Sequence, residues 1–172
     1  MIAREVIGPP ECPILHRWTL IGEQRHGDET ARPARVKVML HHFLPNADDR
    51  ACHDHPRPFV TIVLRGDYDD MKPCPSCDGR GTRPEHGAWG GRTRACGRCG
   101  AAGVVLRERM RAGVIRYRPA RHVHRTKVGP RGCWTIVIMG PLQQDWGFFR
   151  DGVKWPWREF ERRFGHGMRC GE

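Results

Sequence analysis

The chain has 172 residues, 38% of them hydrophobic, and a formal charge of +11 at pH 7. That is about one domain, long enough to bury a core. No run approaches the roughly 18 apolar residues of a membrane span, and the start, MIAREVIGPPECP, lacks the order of a secretory signal, so no membrane association and a soluble, cytoplasmic protein are expected.

The charge comes from 26 arginines against four lysines, spread along the whole chain, so nucleic-acid binding is not favoured as the main role. Residues 1–35 are rich in proline, glycine and charge, with one apolar segment, Trp18 to Ile21, that reads as an edge strand. From Val36, the set Val36, Val38, Leu40, His42 and Leu44 alternates with Lys37, Met39, His41 and Phe43, the period of a strand. Phe59 to Leu64 is nearly continuous in apolar residues and ends at Arg65-Gly66, which suggests a strand buried on both faces.

Residues 71–103 hold four cysteines and eight glycines and few apolar side chains, so they need a staple to fold. Strand patterning resumes over 104–110, in VIRYRP and in HVHRTKV, with a turn at GPRG (129–132) before CWTIVIMG (133–140). In WPWREFERRF (155–164), Pro156 suits a helix start and Trp157, Phe160 and Phe164 fall at helical spacing. The expected organisation is an all-β barrel from 1–70 and 104–172, an inserted loop at 71–103 and a short C-terminal helix.

Cys74-Pro-Ser-Cys77 and Cys96-Gly-Arg-Cys99 are separated by eighteen residues. Each pair puts two thiolates on one tight turn, and two such turns enclose a tetrahedral Zn²⁺. This usage fits a reducing compartment, with Cys12, Cys52, Cys133 and Cys170 as buried free thiols. CPSCDGRG resembles the zinc units of J-domain co-chaperones over about thirty residues, which implies a local zinc hairpin and no chaperone role. Residues 71–106 carry six basic and two acidic side chains. Arg92, Arg94 and Arg98 would be the phosphate contacts if this loop bound nucleic acid.

His53 and His55 sit two apart at the head of an apolar strand, so both point to one face and Asp54 to the other. His124 follows Pro119 in RPARHVHR, and a closed barrel can bring it opposite the pair. His53-x-His55 with Gly66 downstream, and Gly113-x5-Pro119-x4-His124, resemble the two motifs of the cupin superfamily. HHFLPNADDRACHDHPRPFVTIVLRGDY, GVIRYRPARHVHR and CWTIVIMGPLQQDWGFF resemble a group of small bacterial and phage cupins, most without an assigned reaction. The resemblance implies a double-stranded β-helix with a metal on His53, His55 and His124. Where many cupins supply a glutamate, this chain has Arg57-Pro58-Phe59-Val60, so no carboxylate ligand is expected.

A neutral three-histidine set resembles the Fe²⁺ sites of thiol dioxygenases, and the same residues suit Zn²⁺ or another divalent transition metal. His122 shares a face with His124 and is a candidate fourth ligand or general base. Of His41 and His42 only one can face inward, and His42 is the expected one. Arg65, Arg116, Tyr117 and Arg118, with Arg125 behind them, are candidates for lining the barrel and holding an anionic substrate, with His122, Tyr117 and Arg65 as the catalytic set. Trp134 and Trp146 read as core aromatics.

The leading expectation is a metal-dependent dioxygenase of a small molecule. The alternatives are a non-catalytic ligand-binding or adaptor module that docks through its zinc loop, and a metal-independent nucleotide-sugar isomerase or epimerase using His124 or His122. A homodimer fits the resemblance.

Overall fold

A computed structural model describes residues 4–10, 12–22, 34–45, 47–84, 93–165 and 168–170. Period-two alternation becomes strand wherever it occurs. The first three strands, β1 (Arg4–Ile7), β2 (Leu15–Ile21) and β3 (Lys37–Phe43), pair antiparallel in sequence order. Next come β4 (Ala47–Asp49), β5 (Cys52–His53) and the fifteen-residue β6 (Phe59–Pro73). The hairpin β7 (Thr82–Pro84) and β8 (Thr93–Ala95) precedes β9 (Val104–Arg111), β10 (Ile115–Arg118) and the fifteen-residue β11 (Arg125–Met139). The chain then forms β12 (Gly147–Arg150), β13 (Val153–Pro156), the helix α1 (Trp157–Phe164) and β14 (Met168–Cys170).

Among the described residues these strands make one large sheet, in which β6 and β11 pair with each other and with most of their neighbours, a three-stranded sheet β13-β12-β5, and the separate β7-β8 hairpin. The two sheets enclose the interior. One core cluster, with Ile14, Val63, Tyr68, Met110, Val128 and Cys133, fills part of it, and Met39, Phe59 and Val137 form another. The helix seats Phe160 against Phe148, ring centroids 4.5 Å apart, and leaves most of its surface to solvent. Among the described residues no helix is long and apolar enough to cross a membrane.

Several expectations need correction. Phe59 to Leu64 is not buried on both faces: Phe59, Thr61 and Val63 are buried, while Leu64 on the other face is exposed. The strand continues beyond Gly66, and GPRG is not a turn between strands but a bulge inside β11, where Gly129 to Gly132 oppose Asp67 alone. Trp155 and Pro156 belong to β13, so Pro156 caps the helix rather than starting it. Cys52 and Cys133 are buried free thiols, but Cys12 is disulfide-bonded, and the side chain of Cys170 lies outside the described residues.

The bulge depends on two glycines. Gly66 has φ +77°, a conformation L side chains rarely adopt, and a β-carbon there would collide with the Gly132 carbonyl oxygen. Gly66→Ala should therefore destabilise the protein by about 2 kcal/mol or more, read as a lower urea midpoint at unchanged m-value.

Candidate metal centre

Three backbone links assemble the histidines. His53 N–H donates to the His124 carbonyl at 2.7 Å and His124 N–H returns to the His53 carbonyl at 3.0 Å, so residues 71 positions apart form one antiparallel bridge. His55 N–H donates to Ala120 O at 2.9 Å. Asp54 turns the other way, as the alternation predicts, and its buried carboxylate takes hydrogen bonds from Gly147 N–H, Gln144 Nε2 and Lys154 Nζ at 2.8, 3.0 and 2.6 Å. It ties the β5 end to β12 and β13 and is not part of the cluster.

The donor atoms of His53, His55 and His124 all lie within 4.8 Å of one another. His55 Nε2 and His124 Nε2 are 2.8 Å apart. Two ligand nitrogens in adjacent positions on an ion at roughly 2.05 Å would be about 2.9 Å apart, so this spacing suits a shared cation. Burial pushes the His124 pKa down to about 4, against an opposing effect from Asp70, and lowers His55 well below its ordinary value, with neighbouring His124 adding to the effect. Neutral imidazoles with free lone pairs are the protonation state a metal needs.

Two carboxylates stand behind the cluster. Asp49 Oδ2 is 3.7 Å from His53 Nδ1, and Asp70 Oδ1 is 3.3 Å from His124 Nδ1. Neither histidine Nδ1 is aligned for a hydrogen bond, so both remain unpaired in the buried site. Asp49 also receives Thr126 N–H at 2.7 Å. Asp70 gathers more: Arg118 Nη2 at 2.7 Å and Nε at 3.1 Å, and His122 Nε2 at 3.3 Å. Burial alone would raise Asp70, but His122, His124 and Arg118 together outweigh it and hold the carboxyl far below the usual carboxylate range. Arg107 Nη1 lies 2.6 Å from His122 Nδ1 and 2.8 Å from its Nε2, so the ring is held between this guanidinium and Asp70.

Asp70 was missed by sequence reasoning, which found no carboxylate after the histidine pair. With His122 and His124 it makes a second group able to hold an ion. Of the proposed barrel-lining residues, only Arg118 reaches this interior group. Arg65 is exposed, Tyr117 is 63% exposed, and Arg116 is exposed and paired with Glu108, so the expectation that these three line the barrel is corrected. Arg125 is bound to Asp48 through Nε at 3.0 Å and Nη2 at 2.5 Å. The buried member of the β3 histidine pair is His41, not His42, which stacks on Trp134 outside the barrel at 4.1 Å. Trp134 is thus an outer-face residue, while Trp146 packs beside His53 at 6.3 Å. A cavity of about 610 Å³ between the cysteine loop and α1 is lined by Cys52 and Val123 but by none of the three histidines.

The cysteine quartet forms from two matching turns. Cys77 N–H and Cys99 N–H each donate back to the first cysteine of their pair at 3.3 Å, and Gly81 N–H points at Cys77 Sγ at 3.3 Å. Cys74 and Cys96 sulfurs are 3.9 Å apart and Cys77 and Cys99 sulfurs 3.8 Å. That is too long for disulfides and close to the roughly 3.8 Å edge of a tetrahedron with bonds of about 2.3 Å. The group can hold one metal ion. Arg94 and Arg98 are exposed nearby, and Arg92 lies outside the described residues.

Comparison with solved structures agrees with this architecture. The polyketide cyclase RemF from Streptomyces resistomycificus superposes with a TM-score of 0.52 and 15% identity, covering 94% of this chain and 87% of that one. An RmlC-like cupin from Shewanella frigidimarina NCIMB 400 gives 0.47 and 17% over 84% and 88% of the two chains, and KdgF from Halomonas sp. gives 0.46 and 12% over 82% and 89%. At these identities the likeness is one of fold, a double-stranded β-helix of the cupin type. No family model and no curated protein matches the sequence.

Because a carboxylate behind a ligating histidine sets its orientation and basicity, Asp70→Asn should weaken metal binding at the triad by about 10–100-fold while the cysteine site keeps its metal. Competition titration with a chelator, site by site, measures this. Cys74→Ser with Cys96→Ser should remove any metal ion bound at the quartet and leave the triad's metal content unchanged, read by elemental analysis.

Proposed function

We propose that this chain is a metal-dependent enzyme in which His53, His55 and His124 hold a divalent transition metal and a small organic molecule reacts beside it, most concretely as a dioxygenase with Fe²⁺. The observation that carries this reading is the placement of buried carboxylates behind the ligand histidines, Asp49 3.7 Å from His53 Nδ1 and Asp70 3.3 Å from His124 Nδ1. A structural histidine cluster has no need of two desolvated carboxylates aimed at its outer nitrogens. When bound, a ferrous ion supplies one-electron chemistry and coordination positions open to substrate and dioxygen.

The chain's own groups do the rest. Three uncharged ligands leave the ion's charge uncompensated at its open side, which favours an anionic substrate group. Phe59, 4.4 Å from the His55 ring, and Trp146 give apolar walls that exclude water. Asp70, bound by both His122 and Arg118, holds the His122 ring beside the cluster. His122 is accordingly the residue to move a proton to or from substrate. The cysteine quartet is read as a structural Zn²⁺ site that staples residues 71–103.

The test is elemental analysis of untagged protein, with a His53→Ala/His124→Ala variant beside it, followed by anaerobic iron loading and oxygen-uptake assays on thiols, diketones and phenols. Iron, manganese or nickel that disappears with the histidines, together with substrate-dependent oxygen uptake, is the expected result. Failure of iron to bind at the triad would overturn the proposal and leave a binding module or a metal-free isomerase.

A further inference from the structure

The proposed chemistry leaves a set of buried polar groups unused. On the inner face of the large sheet, strand register places Glu5, Arg17, His41 and Thr135 side by side across β1, β2, β3 and β11. His41 is 6% exposed and Thr135 0%. Arg17 Nε–H donates to His41 Nε2 at 3.2 Å, which assigns the imidazole proton to Nδ1. That Nδ1–H has no partner, and neither has the Thr135 hydroxyl. Two unsatisfied buried donors on paired residues of adjacent strands are unusual in a folded protein and point to a missing acceptor.

The charge points the same way. Among the described residues Glu5 is the carboxylate paired with Arg17, 3.8 Å from Nη1. Lys37, on the same face of β3, has a pKa lowered by burial and then by Arg57 and Arg17, with Glu5 opposing. Arg57 is buried and donates to the carbonyls of Ala34 and Gly140, both at 2.7 Å, rather than to a carboxylate. Among the described residues, three cations thus face one acid. Arg17 lies deep enough for burial to lower its pKa, yet its side chain is still 26% exposed. Between this row and the histidine triad lie Met39 and Val137, packed with Phe59, whose ring touches His55.

We propose that Arg17, His41 and Thr135, with Lys37 at the rim, form an anion subsite for the carboxylate of a small acid whose apolar body lies along Met39, Val137 and Phe59. Arg17 and Lys37 supply charge, and His41 Nδ1–H and Thr135 Oγ–H supply the neutral donors. The body runs about 10 Å towards the triad, the length of an arylalkanoate or a short fatty acid, given roughly 7 Å between successive inward residues of a strand. The substrate class rests on the metal reading; the anion subsite itself does not.

The experiment is binding of phenylacetate, phenylacetamide and inorganic phosphate to the full chain by calorimetry, with metal content measured on the same samples. Phenylacetate should bind at least about tenfold more tightly than either other probe, and Arg17→Gln and Thr135→Val should each weaken it by about tenfold or more. Thr135→Val removes an unpaired buried hydroxyl and should not lower stability, so it decides the matter if Arg17→Gln fails to fold. Equal binding of acid and amide, no binding of the acid, phosphate binding as tightly as phenylacetate, or unchanged affinity in folded Thr135→Val overturns the subsite. The His53→Ala/His124→Ala variant separates the two ideas: it should lose metal and keep phenylacetate binding. A parent chain that binds phenylacetate but no metal sinks the triad reading and leaves the subsite standing.

Discussion

The contact between the Gly66 turn and the Gly132 carbonyl is the constraint from which the rest follows. β6 and β11 are each fifteen residues long and pair along most of their length, and at this point both change direction together. Their inward faces change parity as they do. Before the bend, β6 buries Phe59, Thr61 and Val63, and after it Tyr68 and Asp70. In β11 the buried set moves from Thr126 and Val128 to Cys133, Thr135 and Val137. Without the parity change, Asp69, now within 3.7 Å of Arg109, would face the histidines in place of Asp70.

That change also explains what could and could not be read from the sequence. Alternation over 36–44, 104–110 and 133–140 gave the strands, and the two Cys-x-x-Cys pairs gave the quartet, because each is a local pattern with a local cause. The histidine triad came through its likeness to cupin motifs, which encode the barrel closure that spacing alone does not. Asp70 was hidden because period-two counting straight through Gly66 assigns it to the wrong face. Asp49 was hidden because β4 is only three residues long. Arg65 lies at the irregular part of β6, and Tyr117 alternates with Arg118 on a four-residue strand, so pattern alone could not choose which of them faces inward. For His41 and His42, one parity choice decides both, and the stacking of His42 on Trp134, with His16 edge-on beside it on the outer face, decides it the other way from the expectation.

Electrostatically, the centre is organised by Asp70 rather than by the histidines. A carboxylate 1% exposed would ordinarily prefer to be neutral. Arg118 and the two histidines reverse that, and Arg118 is in turn held by Glu108 at 3.1 Å. The line Glu108–Arg118–Asp70–His124 therefore links a partly exposed acid on β9 to a candidate ligand, with alternating sign at each of its first three members. Removing Arg118 would leave Asp70 buried without its cation, which costs more than the pair itself contributes.

The two metal-capable groups differ in what they require. The cysteine quartet is built from its two turns and the hairpin between them, with Cys74 N–H donating to the Gly103 carbonyl at 2.8 Å. The triad needs β5 and the segment before β11 brought together across the fold. The groups are nevertheless joined through β6: Asp70 lies four residues before Cys74, and β9, which starts just after the second cysteine turn, pairs Glu108 with Asp70. The ladder has a register shift between Asp70 and Met71, a weak point in the strand that positions the carboxylate. A metal ion held by Cys74, Cys77, Cys96 and Cys99 would staple the open end of that same strand pair.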